Sequence, residues 1–452
     1  MKNKLILCLF VCVFALSSCE DNNGEADAPM RIDKVFLEDI RSSVPDRQVD
    51  FVRVGQTIRL EGSGFAGVKQ VYVNGRSLFI NPVYITDRSM VFTIQRETPT
   101  LGLDDAVRNT IRLVKSEKNQ LTYLFPIRAA APVIDKISHT LPLEGEWITL
   151  EGSGLTEISK VVFPGDVEVN ADIEQSEDGL SIKVKVPSGM SEKGGSIYVE
   201  GVNGGGYSPA YFNCKAGMML DFDGNGVAVQ AAWGSSFVYA EDLLSNKIGE
   251  GHVSQGNYCP ITLEKLLPIS AGKSRAVEVQ TTGGEDWRSY YVPSLFTEST
   301  PLSEIAFQFD IYVPEYWNNS GFIGICLVNN FSADNMWKHE FYNYIPWLVD
   351  GKKVPFKTLG WTTVTIPMNK FYKYSDKEYS FDDILKLRET ASNKNFGVMF
   401  HNNDFTMKDI TGKSADESVE FLSSSSTVRV YIDNFRLVSL KTPTFSDFPD
   451  EK

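Results

Sequence analysis

Four of the chain's seven tryptophans, Trp317, Trp337, Trp347 and Trp361, fall within one stretch of about fifty residues, together with Phe331, Phe341, Tyr342, Tyr344 and Phe356. Trp233 and Trp287 precede them. The segments that carry these indoles are polar. Trp233 runs into Gly-Ser-Ser, Trp287 sits in Gly283-Gly-Glu-Asp-Trp-Arg-Ser, Trp317 runs into Asn-Asn, and Trp337 follows Ala333-Asp-Asn-Met. An indole on a polar loop hides its faces only when something stacks on it, so this pattern suits the noncovalent holding of flat, amphipathic rings such as sugars. The expected glycan contacts are therefore Trp233, Trp287, Trp337, Trp317 and Trp347, with Arg288, His401 and Asn402 as hydroxyl partners. Trp361 stands beside a buried strand and reads as structural.

Bond-breaking chemistry has less support. A glycoside hydrolase needs two carboxylates about 5 to 9.5 Å apart across a cleft, and with 58 acidic residues no pair stands out in the sequence. Neither a Gly-x-Ser-x-Gly elbow nor a metalloprotease helix motif occurs. Asp221-x-Asp223-x-Asn225-Gly226 matches the first half of a calcium loop, but its twelfth position is Ala232 where a bidentate Glu is needed. No catalytic residue, metal or cofactor is expected. The rival readings are an extracellular glycoside hydrolase and a surface adhesin.

The elements that must position these rings read as all-β. Between residues 215 and 442, Ile305, Phe307, Phe309, Ile311 and Val313 alternate with polar or small residues. So do Ile323, Ile325 and Leu327, then Val364 and Ile366, then Phe396, Val398 and Phe400. Val428, Val430 and Ile432 share one phase and Phe435 and Leu437 the other, which implies a bulge at Asp433-Asn434. The face opposite the core carries Gln308, Asp310, Tyr312, Gly324, Gly397 and His401, and is expected to offer a shallow polar groove.

Ahead of this region the chain repeats itself. Gly55-Gln-Thr-Ile-Arg-Leu-Glu-Gly-Ser-Gly64 returns as Gly145-Glu-Trp-Ile-Thr-Leu-Glu-Gly-Ser-Gly154, and Ile32-Asp-Lys-Val35 returns as Ile134-Asp-Lys-Ile137. A domain-sized period means tandem copies of one fold. The copies span 31–129 and 130–214, and Trp147 in the second is expected to pack rather than bind.

The N-terminus carries Lys2 and Lys4, an apolar run from Leu5 to Leu16, then Leu16-Ser17-Ser18-Cys19. The run is too short to span a bilayer. The ending resembles a bacterial lipobox, which implies a leader over 1–18, acylation of Cys19 and anchoring in a membrane. Glu20, Asp21, Glu25 and Asp27 follow in a tether over 19–30, similar to the surface-export signal of Bacteroidetes lipoproteins. That implies the outer face of the outer membrane. Cys214, Cys259 and Cys326 allow at most one bridge, so this is no disulfide scaffold. The net charge of −14 argues against nucleic acid and anionic lipid as partners.

The two repeats resemble IPT/TIG immunoglobulin-like domains through Gly55–Phe65 and Gly145–Leu155. Met219-Leu-Asp-Phe-Asp-Gly-Asn-Gly226, Gly360-Trp-Thr-Thr-Val-Thr-Ile-Pro367 and Val430-Tyr-Ile-Asp-Asn-Phe435 resemble the C-terminal domain of the Bacteroidetes surface glycan-binding protein B family. The resemblance implies two IPT/TIG sandwiches, a larger sandwich like a carbohydrate-binding module, and a short tail over 443–452. It further implies a non-catalytic protein that holds a plant polysaccharide of the β-glucan class, such as xyloglucan or mixed-linkage glucan, beside a SusC/SusD-like transporter complex.

Overall fold

The structure, a computed structural model, describes residues 28–223, 247–248, 252–253, 256–261, 277–280, 287–290, 295–318, 321–328, 339–392, 394, 396–401, 405–408, 420–421 and 428–449. The described residues divide into two compact units, 28–131 with 446–449, and those between 132 and 445.

The two repeats fold alike. In the first, one sheet runs Arg47–Gln48, Arg31–Leu37, Thr57–Ser63, Ser89–Thr93, and the facing sheet runs Arg76–Leu78, Gln70–Val73, Thr110–Ser116, Asn119–Leu124. In the second, Val133–Ile137, Trp147–Ser153, Ser181–Lys185 and Ile173–Gln175 face Val167–Val169, Ile158–Phe163, Tyr198–Gly201 and Gly204–Tyr207. Period-2 alternation puts Ile58 and Leu60 in the first core, and Ile148 and Leu150 in the second. The repeated Glu-Gly-Ser-Gly has a steric cause. A Cβ on Gly62 would sit 1.9 Å from the Arg31 carbonyl oxygen, and one on Gly152 would sit 1.9 Å from that of Val133. Gly64 and Gly154 turn at φ +75° and +66°.

Trp147 departs from expectation. Its phase is opposite to Ile148 and Leu150, so the indole points outward and stays 46% exposed. Residues 446–449 belong to the first unit, where Phe448 stacks on Phe51 and Arg53 pairs with Asp447 at 2.5 Å.

The C-terminal domain is a larger two-sheet sandwich. Met218–Leu220, Val430–Ser439, Ile305–Tyr312 and Thr362–Pro367 form one sheet, with Cys259–Ile261 also paired to Val430–Ser439. Val277–Gln280, Gly397–His401, Phe322–Cys326 and Phe341–Tyr344 form the other. Phe307, Phe309, Ile311, Ile323, Ile325, Val398 and Phe400 fill the space between them. The bulge is where the sequence places it. Register slips between Gln308 and Asp310 opposite Arg436 and Asp433, and Asn434 takes φ +54°. The helix Phe381–Thr390 opens on a capping box between Ser380 and Asp383.

The outer face of the Ile305–Tyr312 sheet is not a groove. Gln308 and Asp310 are buried against the second repeat. Thr363 N–H and Thr362 Oγ1 donate to the Ser138 carbonyl at 2.8 and 2.6 Å, and Thr140 N–H donates to Thr363 Oγ1 at 2.9 Å. Arg436, fully buried, bonds Asp310 Oδ1 at 3.0 Å, Gln308 Oε1 at 3.2 Å and Thr140 Oγ1 at 2.7 Å. The polar residues expected to meet sugar hydroxyls instead satisfy one another between two domains. A buried charge needs such partners.

Candidate functional site

Most of the tryptophans expected to bind are structural. Trp317 is fully buried, 5.4 Å from the Phe400 ring, and a pair of backbone hydrogen bonds to Phe356 at 2.7 and 3.1 Å holds its main chain. Trp347 is fully buried, and its Nε1 donates to the Gly321 carbonyl at 2.9 Å. Trp287 meets Phe396 edge-on, with the Arg388 guanidinium 4.0 Å from its ring. His401 is fully buried and stacks on Phe322 at 4.6 Å. Its neighbours Gly324 and Gly397 are buried too. Arg288 pairs with Glu298, with Glu389 at 2.9 Å and with Asp382 at 3.6 Å, which takes its charge away from any hydroxyl. The reason is area. An indole buries about 150–250 Å², so a short polar loop next to a sheet gains more by folding its ring inward than by leaving it wet. Trp361 is buried as expected, in a satellite cluster with Tyr258, Tyr312 and Tyr431. Trp233, Trp337, Asn402 and Cys19 lie outside the described residues.

An open aromatic surface survives a few residues away. Phe341–Tyr344 is the edge strand of its sheet, and its alternation sends Phe341 and Asn343 one way and Tyr342 and Tyr344 the other. At an edge the inward-facing rings are covered from one side only. Tyr344 meets core Phe309 at 5.8 Å and Phe356 at 6.4 Å, both edge-on, while Tyr342 tilts against Phe371 at 5.8 Å. Tyr372 follows Phe371 in a short 3-10 turn. The rings of Tyr342, Tyr344, Phe356 and Tyr372, all half-buried, line a groove of about 490 Å³ with Asn343, Ile345, Pro346, Leu348, Val349 and Met407. The hairpin Leu348–Val349 to Lys352–Lys353 forms part of the wall, turning through Asp350 and Gly351 at φ +49° and +73°.

The groove is neutral and amphipathic. Burial raises the hydroxyl pKa of Tyr342, of Tyr344 (with Tyr342 adding to it) and of Tyr372, so all three keep their protons and can donate. Hydrogen bonding from Asn343 partly offsets the rise at Tyr372. Beyond the rim Tyr316 is exposed, with Lys357 Nζ 4.6 Å from its ring centre. Rings with phenolic donors, and no cluster of three or more His, Cys, Asp or Glu able to hold a metal among the described residues, can stack a saccharide and bond its hydroxyls. Tyr342, Tyr344 and Phe356 belong to the aromatic stretch whose indoles the sequence favours, and Tyr372 lies beyond it. The legible signal is the alternation Phe341-Tyr-Asn-Tyr344 shortly before the turn residues Asp350-Gly351.

Residues 212–439 match the surface glycan-binding protein B xyloglucan binding domain. An IPT/TIG domain-containing protein of Bacteroides ovatus is 21% identical to this chain, covering 96% of it and 97% of the relative. In three dimensions the chain is similar to the surface glycan-binding protein PbSGBP-B of Prevotella bryantii, with a TM-score of 0.60 and 17% identity over 92% of this chain and 99% of the other. Another similar structure is SGBP-B from a complex xyloglucan utilization locus in Bacteroides uniformis, with a TM-score of 0.47 and 16% identity over 91% and 100% of the two chains. The domain match spans half the sequence and includes every residue of the groove, and on it the chain belongs to the surface glycan-binding protein B family.

Proposed function

We propose that this chain is a non-catalytic, lipid-anchored protein of the outer cell surface that captures a plant β-glucan, xyloglucan or mixed-linkage glucan, for a SusC/SusD-like transporter. The observation that carries the glycan site is the groove lined by Tyr342, Tyr344, Phe356 and Tyr372 inside the family's binding domain. The lipobox at Cys19 and the acidic tract behind it support the anchor and the surface location. Stacked rings at about 0.5–1.5 kcal/mol each beyond area burial, with hydrogen bonds at about 1 kcal/mol net, give dissociation constants from about millimolar to micromolar. Such a hold is firm enough to concentrate a polymer and weak enough to hand it on.

Affinity electrophoresis across a panel of polysaccharides tests this. The expected result is retardation by a β-glucan, reduced about tenfold in affinity by Tyr342→Ala together with Phe356→Ala, and no new reducing ends after prolonged incubation. Retardation intact in that variant but lost in Trp233→Ala or Trp337→Ala moves the site out of the groove. Release of reducing ends replaces capture with hydrolysis.

A further inference from the structure

The first repeat carries an exposed apolar cluster that glycan capture does not use. Phe79 is 82% exposed, Val83 81% and Tyr84 59%, all within one loop after the Arg76–Leu78 strand. Large apolar side chains this bare on one loop of a water-soluble sandwich mark a contact surface. Strand directions say which end of the domain they occupy. Leu78 pairs with Val71, Gln70 pairs with Val114, and Ser116 pairs with Asn119, so this loop and the turn at 116–119 share one pole. In the other sheet Arg31 pairs with Ser63 and Glu61 with Ser89, which brings the start of the Arg31–Leu37 strand to that same pole. The chain enters there. The Ala28 carbonyl accepts from Lys115 Nζ at 3.5 Å and from Asn119 Nδ2 at 3.3 Å. Its exit, at Ile127–Arg128 beside Val52–Arg53, lies at the opposite pole.

We infer that this pole seats on the lipid surface that holds the anchor, with Phe79, Val83 and Tyr84 dipping into the interface. The inference rests on the lipoprotein reading. Ala28 is nine residues from Cys19, a reach of at most roughly 30 Å, so the acyl chains hold this end of the domain close to the bilayer. Phenyl and phenol rings with an aliphatic neighbour suit the headgroup boundary. Charge at this pole is mixed, with exposed Lys69, Arg88 and Lys118 beside Asp87 and Glu117 and with Glu20, Asp21, Glu25 and Asp27 in the sequence just before Ala28, so the contact rests on the apolar side chains and the tether rather than on charge. Three side chains would hold a free domain weakly, but the tether makes their insertion intramolecular and a weak contact then suffices.

The test uses the full-length acylated chain in vesicles of phosphatidylethanolamine, phosphatidylglycerol and lipopolysaccharide. Cys214, Cys259 and Cys326 are buried, so an environment-sensitive dye can be directed to Val83→Cys, with Ile40→Cys at the far pole as control. The expected result is a blue shift and strong quenching by lipid-borne quencher at position 83 and neither at position 40. Absence of quenching at position 83, or equal quenching at both positions, on a chain shown by mass to be acylated overturns the pole contact and leaves the anchor standing. Absence of acyl groups on Cys19 removes the anchor, and this inference with it. A shift at position 83 that appears only in whole outer membranes, or only with rising protein concentration without lipid, overturns it in favour of a protein partner or a second copy.

Discussion

His139 is the residue on which the joint between the second repeat and the C-terminal domain turns. Burial alone would favour its neutral form, but Asp310 Oδ2 lies 3.8 Å from Nε2 and Glu146 Oε2 3.5 Å from Nδ1, and the two carboxylates raise its pKa above the ordinary histidine value. Asp310 moves the other way. Burial would raise it, yet the Arg436 guanidinium and His139 hold it well below the usual carboxylate range. A group whose folded pKa is raised stabilises fully below its unfolded value, about 6.5 for histidine, and that contribution is lost as pH rises through the folded value. The domain pair should therefore lose stability on the alkaline side of about pH 6.5, and His139→Gln should flatten that slope in melting temperatures taken from pH 6 to 9. Arg436→Met leaves Asp310 buried without its guanidinium and should cost about 3–5 kcal/mol in denaturant unfolding. A near-neutral effect would mean that Asp310 is rescued by Thr363, Asn434 and His139 alone.

Strands were legible because period-2 alternation reports them directly, and the repeat was legible because glycine has a geometric duty. Gly62→Ala and Gly152→Ala each place a methyl carbon 1.9 Å from a backbone oxygen of the neighbouring strand. Neither strand can yield without breaking its ladder, so each variant should destabilise its own sandwich by about 1–3 kcal/mol. Proteolysis read out domain by domain should show the damage confined to the mutated copy. If Gly62→Ala melts like the parent, the crowding is not what selects glycine. The bulge at Asp433-Asn434 was equally readable, because two apolar phases met inside one strand. Which face of the neighbouring Ile305–Tyr312 strand would be wet was not. Gln308 and Asp310 look like solvated polar residues in sequence, and only the docking of Ser138, His139 and Thr140 from a domain some 170 residues earlier makes them core. The indoles failed for the related reason that local polarity says nothing about the packing space a sheet leaves beside its loops. Trp317 and Trp347 filled that space, and the tyrosines of an edge strand were left at the opening.

At the scale of the molecule, the buried hub makes a prediction about cooperativity. The second repeat and the C-terminal domain share Arg436, Asp310, Thr140 and Thr363 in one fully buried network, and Ala306 and Val438 of the C-terminal sheet join the apolar core of the second repeat. Neither domain can unfold alone without exposing the other's polar core groups and leaving Asp310 or Arg436 without its partners. Residues 132–445 should therefore melt as one transition, while residues 28–131 with the returning 446–449 segment, which form a separate compact unit, melt as another. Since unfolding enthalpy scales with chain length at about 0.7 kcal/mol per residue near 60 °C, calorimetry should resolve two endotherms with areas of roughly three to one. A β-glucan ligand should shift only the larger endotherm upward, by an amount that grows with the logarithm of the ratio of its concentration to its dissociation constant. Three endotherms, with the second repeat melting apart from the C-terminal domain, would mean that the network at Arg436 orients the two domains without coupling their stability. The glycan-bearing sandwich would then stand on a hinge rather than on a rigid two-domain arm.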